Sequence, residues 1–216
     1  MKTKFFTLML VVLCAAMVSA QEIRLNGYAS YVFDDRVNSY YDYDDYYDGK
    51  VKGGLMWGAG LEYMPIPYTG IEVMYLRMDT EAPMEYYNNG YRSTNFDMAI
   101  NYIMLNGNRY FETGSDVVEP YLGGGLGAAI INIENPDNGR TDGRGFFAWG
   151  IKGGLNLNFA ETVGLKLGAQ LMSAVQSIGG GFYFGTGGSG AGLTTYSTFF
   201  QFGFTGGLVF KFNKGY

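Results

Sequence analysis

Bulky apolar residues recur at every second position through eight stretches of the chain, with small, polar or charged residues between them. A period of two is the mark of a β-strand, whose successive side chains point to opposite faces. In Ile23 to Phe33, Leu25, Tyr31 and Phe33 oppose Arg24, Asn26 and Ser30. Val51 to Tyr63 sets Leu55, Trp57, Leu61 and Tyr63 against Lys52, Gly54, Gly58, Gly60 and Glu62. Ile71, Val73 and Tyr75 oppose Glu72 in the third stretch, which Leu76, Arg77 and Met78 blur, so a bulge or strand exit is expected there. In the fourth, Asn95 to Tyr110, the apolar face is read as Phe96, Met98, Ile100, Tyr102 and Met104, opposite Asp97 and Asn101. The glycine-rich fifth, Tyr121 to Ile133, is given Leu122, Leu126 and Ile130 as its apolar face. The sixth alternates Phe147, Trp149, Ile151, Leu155, Leu157 and Phe159 with Ala148, Gly150, Lys152, Gly154, Asn156 and Asn158. In the seventh Leu165, Leu167, Ala169 and Leu171 oppose Lys166, Gly168, Gln170 and Met172. The eighth sets Tyr196, Phe200, Phe202, Phe204, Leu208, Phe210 and Phe212 against Ser197, Gln201, Gly203, Thr205 and Lys211.

The connectors alternate in length. Long polar stretches (34–50, 79–94, 132–144 and 176–195) take turns with the short MPIPYTG and AETV, and the one near Glu112 to Glu119 is intermediate. Short turns at one end and long loops at the other predict an all-β, eight-stranded antiparallel up-and-down barrel. Volume decides which face is outside. An eight-stranded lumen is just wide enough to fill with side chains, and roughly thirty large apolar residues cannot all enter it. Glycine, serine and asparagine fit a narrow interior, whereas glycine on a solvent-facing strand packs nothing. The bulky face is therefore expected in lipid, making this a transmembrane barrel. A soluble carrier barrel for an apolar ligand is the alternative with the same alternation. Aromatics near the segment ends, such as Tyr63, Tyr75, Trp149, Phe159 and Phe212, suit a membrane interface.

The first twenty residues place Lys2 and Lys4 before an apolar run from Phe5 to Val12, then small residues with Val18 and Ala20 ahead of Gln21. This is expected to be a cleaved secretory signal (1–20), followed by one barrel domain over 21–216. It contains Cys14, the only cysteine, so no disulfide is expected in the mature chain. Without Lys2 and Lys4 the chain keeps 13 basic against 20 acidic residues, a net charge of −7 that disfavours nucleic acid.

There is no histidine. Histidine-based hydrolysis is thereby excluded, and with Cys14 removed so are cysteine nucleophiles and Cys/His metal sites. No enzyme activity and no cofactor are expected. On the parity above, Arg24, Glu62, Glu72, Lys166 and Lys211 all point inward near the short-turn end, and a mutually paired structural charge cluster is expected there, since isolated charges in a tight interior are costly. Such a plug disfavours a wide channel. The first long stretch contains SYYDYDDYYDGK. Its Asp42, Asp44 and Asp48 spacing fails as a calcium loop at Tyr46 and lacks a closing glutamate. Tyr43, Asp44, Asp45 and Tyr46, with Phe182, Tyr183 and Phe184 in the last long stretch, are the candidate surface contacts. The glycine runs at 123–127 and 179–192 lack the Gly-Lys-Ser/Thr ending of a phosphate loop.

The signal, the whole-chain alternation, the strand Glu119-Pro-Tyr-Leu-Gly-Gly-Gly-Leu-Gly127 and the ending Gly206-Gly-Leu-Val-Phe-Lys-Phe212 resemble those of small outer-membrane barrels of the OmpA/OmpX type, a porin-family resemblance in the broad sense. It implies a Gram-negative cell outer membrane, with long loops extracellular and termini periplasmic. It also implies contact with outer-membrane lipid and lipopolysaccharide, and a terminal strand read by the barrel assembly machinery. The residues 213–216 trailing beyond Phe212 depart from the usual aromatic ending. The expected role is non-enzymatic: structural, or a surface interaction or adhesion carried by the loops toward an extracellular partner. A narrow channel for small solutes is the alternative.

Overall fold

The computed structural model describes residues 22–42, 45–87, 91–136, 139–175 and 199–212, and every regular element among them is a strand. In chain order these are β1 (Glu22–Val32), β2 (Asp35–Asp42), β3 (Asp45–Val51), β4 (Gly54–Ile66), β5 (Thr69–Tyr87), β6 (Tyr91–Tyr110), β7 (Val118–Asn135), β8 (Arg140–Asn158), β9 (Val163–Val175) and β10 (Phe199–Phe212). Eight of them, β1 and β4 to β10, pair antiparallel with their neighbours, and β10 returns to β1 to close a barrel. Stepping from partner to partner around the wall leads from Ile100 through Met78, Met56, Ser30, Thr205, Gly168, Gly154 and Tyr121 back to β6 at Tyr110. The ring thus closes with a stagger of ten residues, from 100 to 110, which sets the strands at a steep tilt.

Of the long polar stretches, 34–50, 79–94 and 132–144 are strand over most of their described residues, and 176–195 lies outside the described residues. β5 and β6 stay in register from Thr69↔Arg109 to Tyr87↔Tyr91 without a shift, so the bulge expected near Met78 is absent. β7 and β8 likewise pair out to Asn135↔Arg140. β2 and β3 pair antiparallel as a hairpin, and β3 adds to the far end of β5 through Tyr47↔Tyr86, Asp48↔Glu85 and Gly49↔Met84. The barrel therefore continues beyond its rim as a sheet of β2, β3 and the ends of β5 to β8.

The base of that hairpin is pinned by charge. Asp34 accepts hydrogen bonds from the Gly53 N–H (2.7 Å) and the Lys50 ammonium (3.1 Å), and Glu81 accepts from Lys52 (2.6 Å) and Asn95 (2.8 Å). The Gly53 N–H, and next Lys50, hold the exposed Asp34 carboxyl below its ordinary value; Lys52, and next Asn95, do the same for Glu81. Both folded values are depressed, so the contribution to docking is complete above the unfolded carboxylate value of about 4 and is lost as the pH falls through the lower folded values. Spin labels at Val37 and Thr162 are expected to give a narrow distance distribution at pH 7 that broadens below about pH 4; an unchanged distribution at pH 3 refutes the latch.

Outside the barrel stand Leu25, Tyr31, Leu55, Trp57, Leu61, Ile71, Val73, Leu122, Leu126, Ile130, Ile151, Leu155, Leu167, Phe202, Phe204, Leu208 and Phe210, all on the parity expected from the sequence. β6 is the exception. Phe96, Met98, Ile100, Tyr102 and Met104 are buried in the lumen, and Ile103 and Leu105 face outward. The cause is volume. β7 and β8 present Gly125, Gly127, Ala129, Ala148 and Gly150 to the interior, and the space they leave is filled from β4, β5 and β6 by Met56, Met74, Leu76, Met78, Ile100, Tyr102 and Met104. Unbranched thioethers suit such an irregular gap. The Met104 and Met172 sulfurs lie where side chains on Gly127 and Gly150 would otherwise be. The lumen thus has an apolar half toward the extension and a polar half toward the short turns.

Candidate functional site: the polar half of the lumen

The polar half is built on a repeated Gly-x-Glu. Gly60-Leu-Glu62 on β4 and Gly70-Ile-Glu72 on β5 run antiparallel with Glu62 directly opposite Glu72. Each carboxylate lies over the glycine of the other strand: a Cβ on Gly60 would collide with Glu72 Oε1, and one on Gly70 with Glu62 Oε1. Two fully buried, like-charged neighbours would repel each other. They are held by shared donors. Asn26 Nδ2 donates to Glu62 Oε2 (3.1 Å) and Glu72 Oε1 (2.9 Å), and Asn108 Nδ2 to Glu62 Oε1 (2.8 Å) and Glu72 Oε2 (3.2 Å). The Tyr110 hydroxyl reaches both oxygens of Glu62 (2.8 and 2.7 Å), and the Tyr28 hydroxyl donates to Glu72. Lys152, from β8, crosses the lumen to Glu72 and approaches the Tyr28 hydroxyl at 3.2 Å.

A Gly60→Ala substitution is expected to cost about 1–3 kcal/mol, because the Glu72 carboxylate it displaces is held by Asn26, Asn108, Tyr28 and Lys152. Gly107, whose added Cβ meets nothing within 4 Å, is the control. Urea unfolding of both variants in lipid vesicles reads the difference, and equal midpoints would contradict the packing role of Gly60.

Of the five lumen charges named from sequence, Glu62 and Glu72 form this centre. Arg24 is the register partner of Glu62, yet its guanidinium turns to Glu119, which it grips with both terminal nitrogens (2.8 and 3.0 Å), and to Glu22; it also lies 4.3 Å from the Tyr110 ring centroid. Lys211 sits near the mouth, 4.0 Å from Glu119. Lys166 is fully buried, and its Nζ has no hydrogen-bond acceptor; the rings of Tyr121, Tyr28 and Tyr110 surround it at 4.6, 5.7 and 5.9 Å. The charges therefore form two groups: Arg24, Glu22, Glu119 and Lys211 at the mouth, and Glu62, Glu72 and Lys152 above them, with Lys166 caged by tyrosine.

Sequence reasoning missed Lys152, Glu119, Tyr28, Tyr110 and the two asparagines as members of the site. Lys152 stands on the expected inward parity, and the Gly-x-Glu repeat was the available signal for the centre. Of the surface candidates, Asp45 and Tyr46 are in β3, in register with Asp42 and Tyr40, while Tyr43, Asp44, Phe182, Tyr183 and Phe184 lie outside the described residues. Among the described residues no group of three or more His, Cys, Asp or Glu converges on a metal position.

Below the Arg24–Glu119 pair the barrel opens into a vestibule of about 630 Å³ at the short-turn end, lined among others by Tyr68, Phe111, Asn158, Phe159 and Lys211.

A family model for the outer membrane protein beta-barrel domain matches residues 6–206. No curated protein matches the chain. Among solved structures the fold is similar to that of Neisserial surface protein A (17% identity over 88% of this chain and 97% of that one, TM-score 0.59). It is also similar to Pseudomonas aeruginosa OprG (12%, 90% and 97%, TM-score 0.54) and to the N-terminal β-barrel domain of OprF from the same organism (15%, 89% and 98%, TM-score 0.51). At these identities the likeness is one of fold.

Proposed function

Because the chain belongs to the outer membrane protein beta-barrel family, we propose that it is a non-enzymatic, non-conducting integral barrel whose extracellular working surface is the sheet beyond the rim. The observation that carries this reading is the filled lumen: fully buried Met56, Met74, Leu76, Met78, Ile100, Tyr102 and Met104 lie across one half, and bonded carboxylates and amides across the other. In contrast, β5 to β8 and the β2–β3 hairpin carry ordered backbone well past that plug. The outer face of the extension supports a polar contact role. Glu81, Asp97 and Glu134 stand side by side in cross-strand register; Glu81 is already bonded to Lys52, and the acidic row it shares with Asp97 and Glu134 suits a cationic partner or cation-bridged lipopolysaccharide. In this reading the short turns and both barrel termini are periplasmic.

Planar-bilayer recording tests the closed lumen. No stable conductance steps are expected, and large stable pores would favour the channel alternative. Excising Asn38 to Asp48 tests the surface role, because β2–β3 stands outside the eight-stranded ring. The shortened protein is expected to keep heat-modifiable migration on a detergent gel and to lose binding to cells or lipopolysaccharide; undiminished binding would remove the hairpin from the working surface.

A further inference from the structure

Five buried polar atoms in the lower half of the lumen have no hydrogen-bond partner among the protein's own groups: the Oδ1 atoms of Asn26, Asn108, Asn156 and Asn158, and the ammonium of Lys166. Asn26, Asn108, Asn156 and Lys166 are each at most 2% exposed. Leaving such groups unmet is costly, most of all for a charge. Their chemistry is complementary. Lys166 offers three N–H donors, and the asparagine carbonyls are acceptors. Asn156 and Lys166 are register partners on β8 and β9, yet the ammonium has no acceptor within bonding distance. Water both accepts and donates, so it is the molecule that can bridge an ammonium to a carbonyl it does not touch.

The unmet atoms also form a series. Asn158 lines the vestibule, Asn156 lies two residues further along the same face of β8, Lys166 is opposite Asn156, and Asn26 and Asn108 flank the glutamate pair above. The series ends where Asn106 Nδ2 and Lys152 Nζ meet the Met74 sulfur at 3.7 and 3.9 Å, the lower surface of the apolar half.

We propose that the polar half of the lumen is a one-ended hydrated chamber, entered by water and small polar solutes from the short-turn vestibule past Arg24 and Glu119 and stopped by the methionine-rich plug. Lys166 is its caged interior charge, solvated by the water it contains. The inference rests on the closed lumen proposed above.

Accessibility of single cysteines tests it, in a Cys14→Ser background reconstituted in lipid and checked for folding by heat-modifiable migration. Asn158→Cys, Asn156→Cys and Lys166→Cys are expected to react with methyl methanethiosulfonate. Met172→Cys, in the plug, is expected to react at least 100-fold more slowly until the protein is unfolded. Failure of Asn156→Cys and Lys166→Cys to react while Asn158→Cys does would overturn the chamber and leave the closed lumen standing. Equal reactivity of Met172→Cys would instead overturn the closed lumen. If the Lys166 variant does not fold, magnetisation transfer from water to the side-chain amides of the unaltered protein in micelles decides. Transfer to Asn26 and Asn108 with none to Gln201 upholds the chamber, and its absence at the asparagines refutes it.

Discussion

Lys152→Met is expected to destabilise the reconstituted barrel by about 3–5 kcal/mol, the cost of removing one partner of a buried ion pair. The side chains of Lys152 and Glu72 are 6% and 0% exposed, so in the folded state each charge is held by the other and by its bonded neighbours rather than by bulk solvent. Glu72 would keep Asn26, Asn108 and Tyr28 as donors but would face Glu62 with no cation in contact. Methionine matches the length of the lysine stem and lies against Met74, so the loss is of charge rather than of volume. Urea unfolding in lipid vesicles, followed by the shift in gel migration, measures the effect. Adding Glu72→Gln to Lys152→Met is expected to recover part of the loss, and the cycle isolates the pair from its surroundings. A loss below about 1 kcal/mol would place the pair with solvent-exposed ion pairs.

Leu105→Arg is expected to cost about 2–4 kcal/mol in a bilayer, the penalty for a guanidinium on the lipid face near mid-depth of a membrane barrel. Leu105 is 58% exposed on β6, midway between the outward Asn101 and Arg109, with Val73 and Leu126 as register partners. In a water-soluble barrel the same exposed position would accept arginine within a few tenths of a kcal/mol. Unfolding of wild type and variant in the same vesicles therefore tests which medium touches this wall, and equal stabilities would place it in water.

Leu105 also marks where sequence reading fell short. On β1, β4 and β7 to β10 one parity is bulky and the other small, and the facing could be read directly from residues such as Trp57 against Gly58 or Phe204 against Thr205. β6 carries bulk on both parities, Tyr102 and Met104 against Ile103 and Leu105. The choice by residue size alone put the larger side chains in lipid. Following the parity further along would have corrected it, since Asn106 and Asn108 stand with Met104 and would have been carried into lipid with it. Local alternation does not reveal that the glycines of β7 and β8 leave a void for another wall to fill; that is a property of the closed ring. The same holds for the charges. Parity placed Arg24, Glu62, Glu72, Lys166 and Lys211 inside, but the stagger of the strands determines their neighbours. It brings Arg24 to Glu119 and Lys152 to Glu72, across sequence separations of 95 and 80.

The joint between β1 and β10 has a consequence for how the molecule assembles. β5 with β6, β7 with β8, and β9 with β10 join strands consecutive in the chain and can zip locally, whereas Ile23 meets Phe212 only when the two ends of the chain come together. Joints of such long sequence separation form slowly. Until this one forms, β1 and β10 each present a row of unpaired N–H and C=O groups, which in hydrocarbon costs several kcal/mol apiece. A partly zipped sheet is therefore excluded from the membrane interior. Membrane insertion is expected to be coupled to closure of the β1–β10 seam.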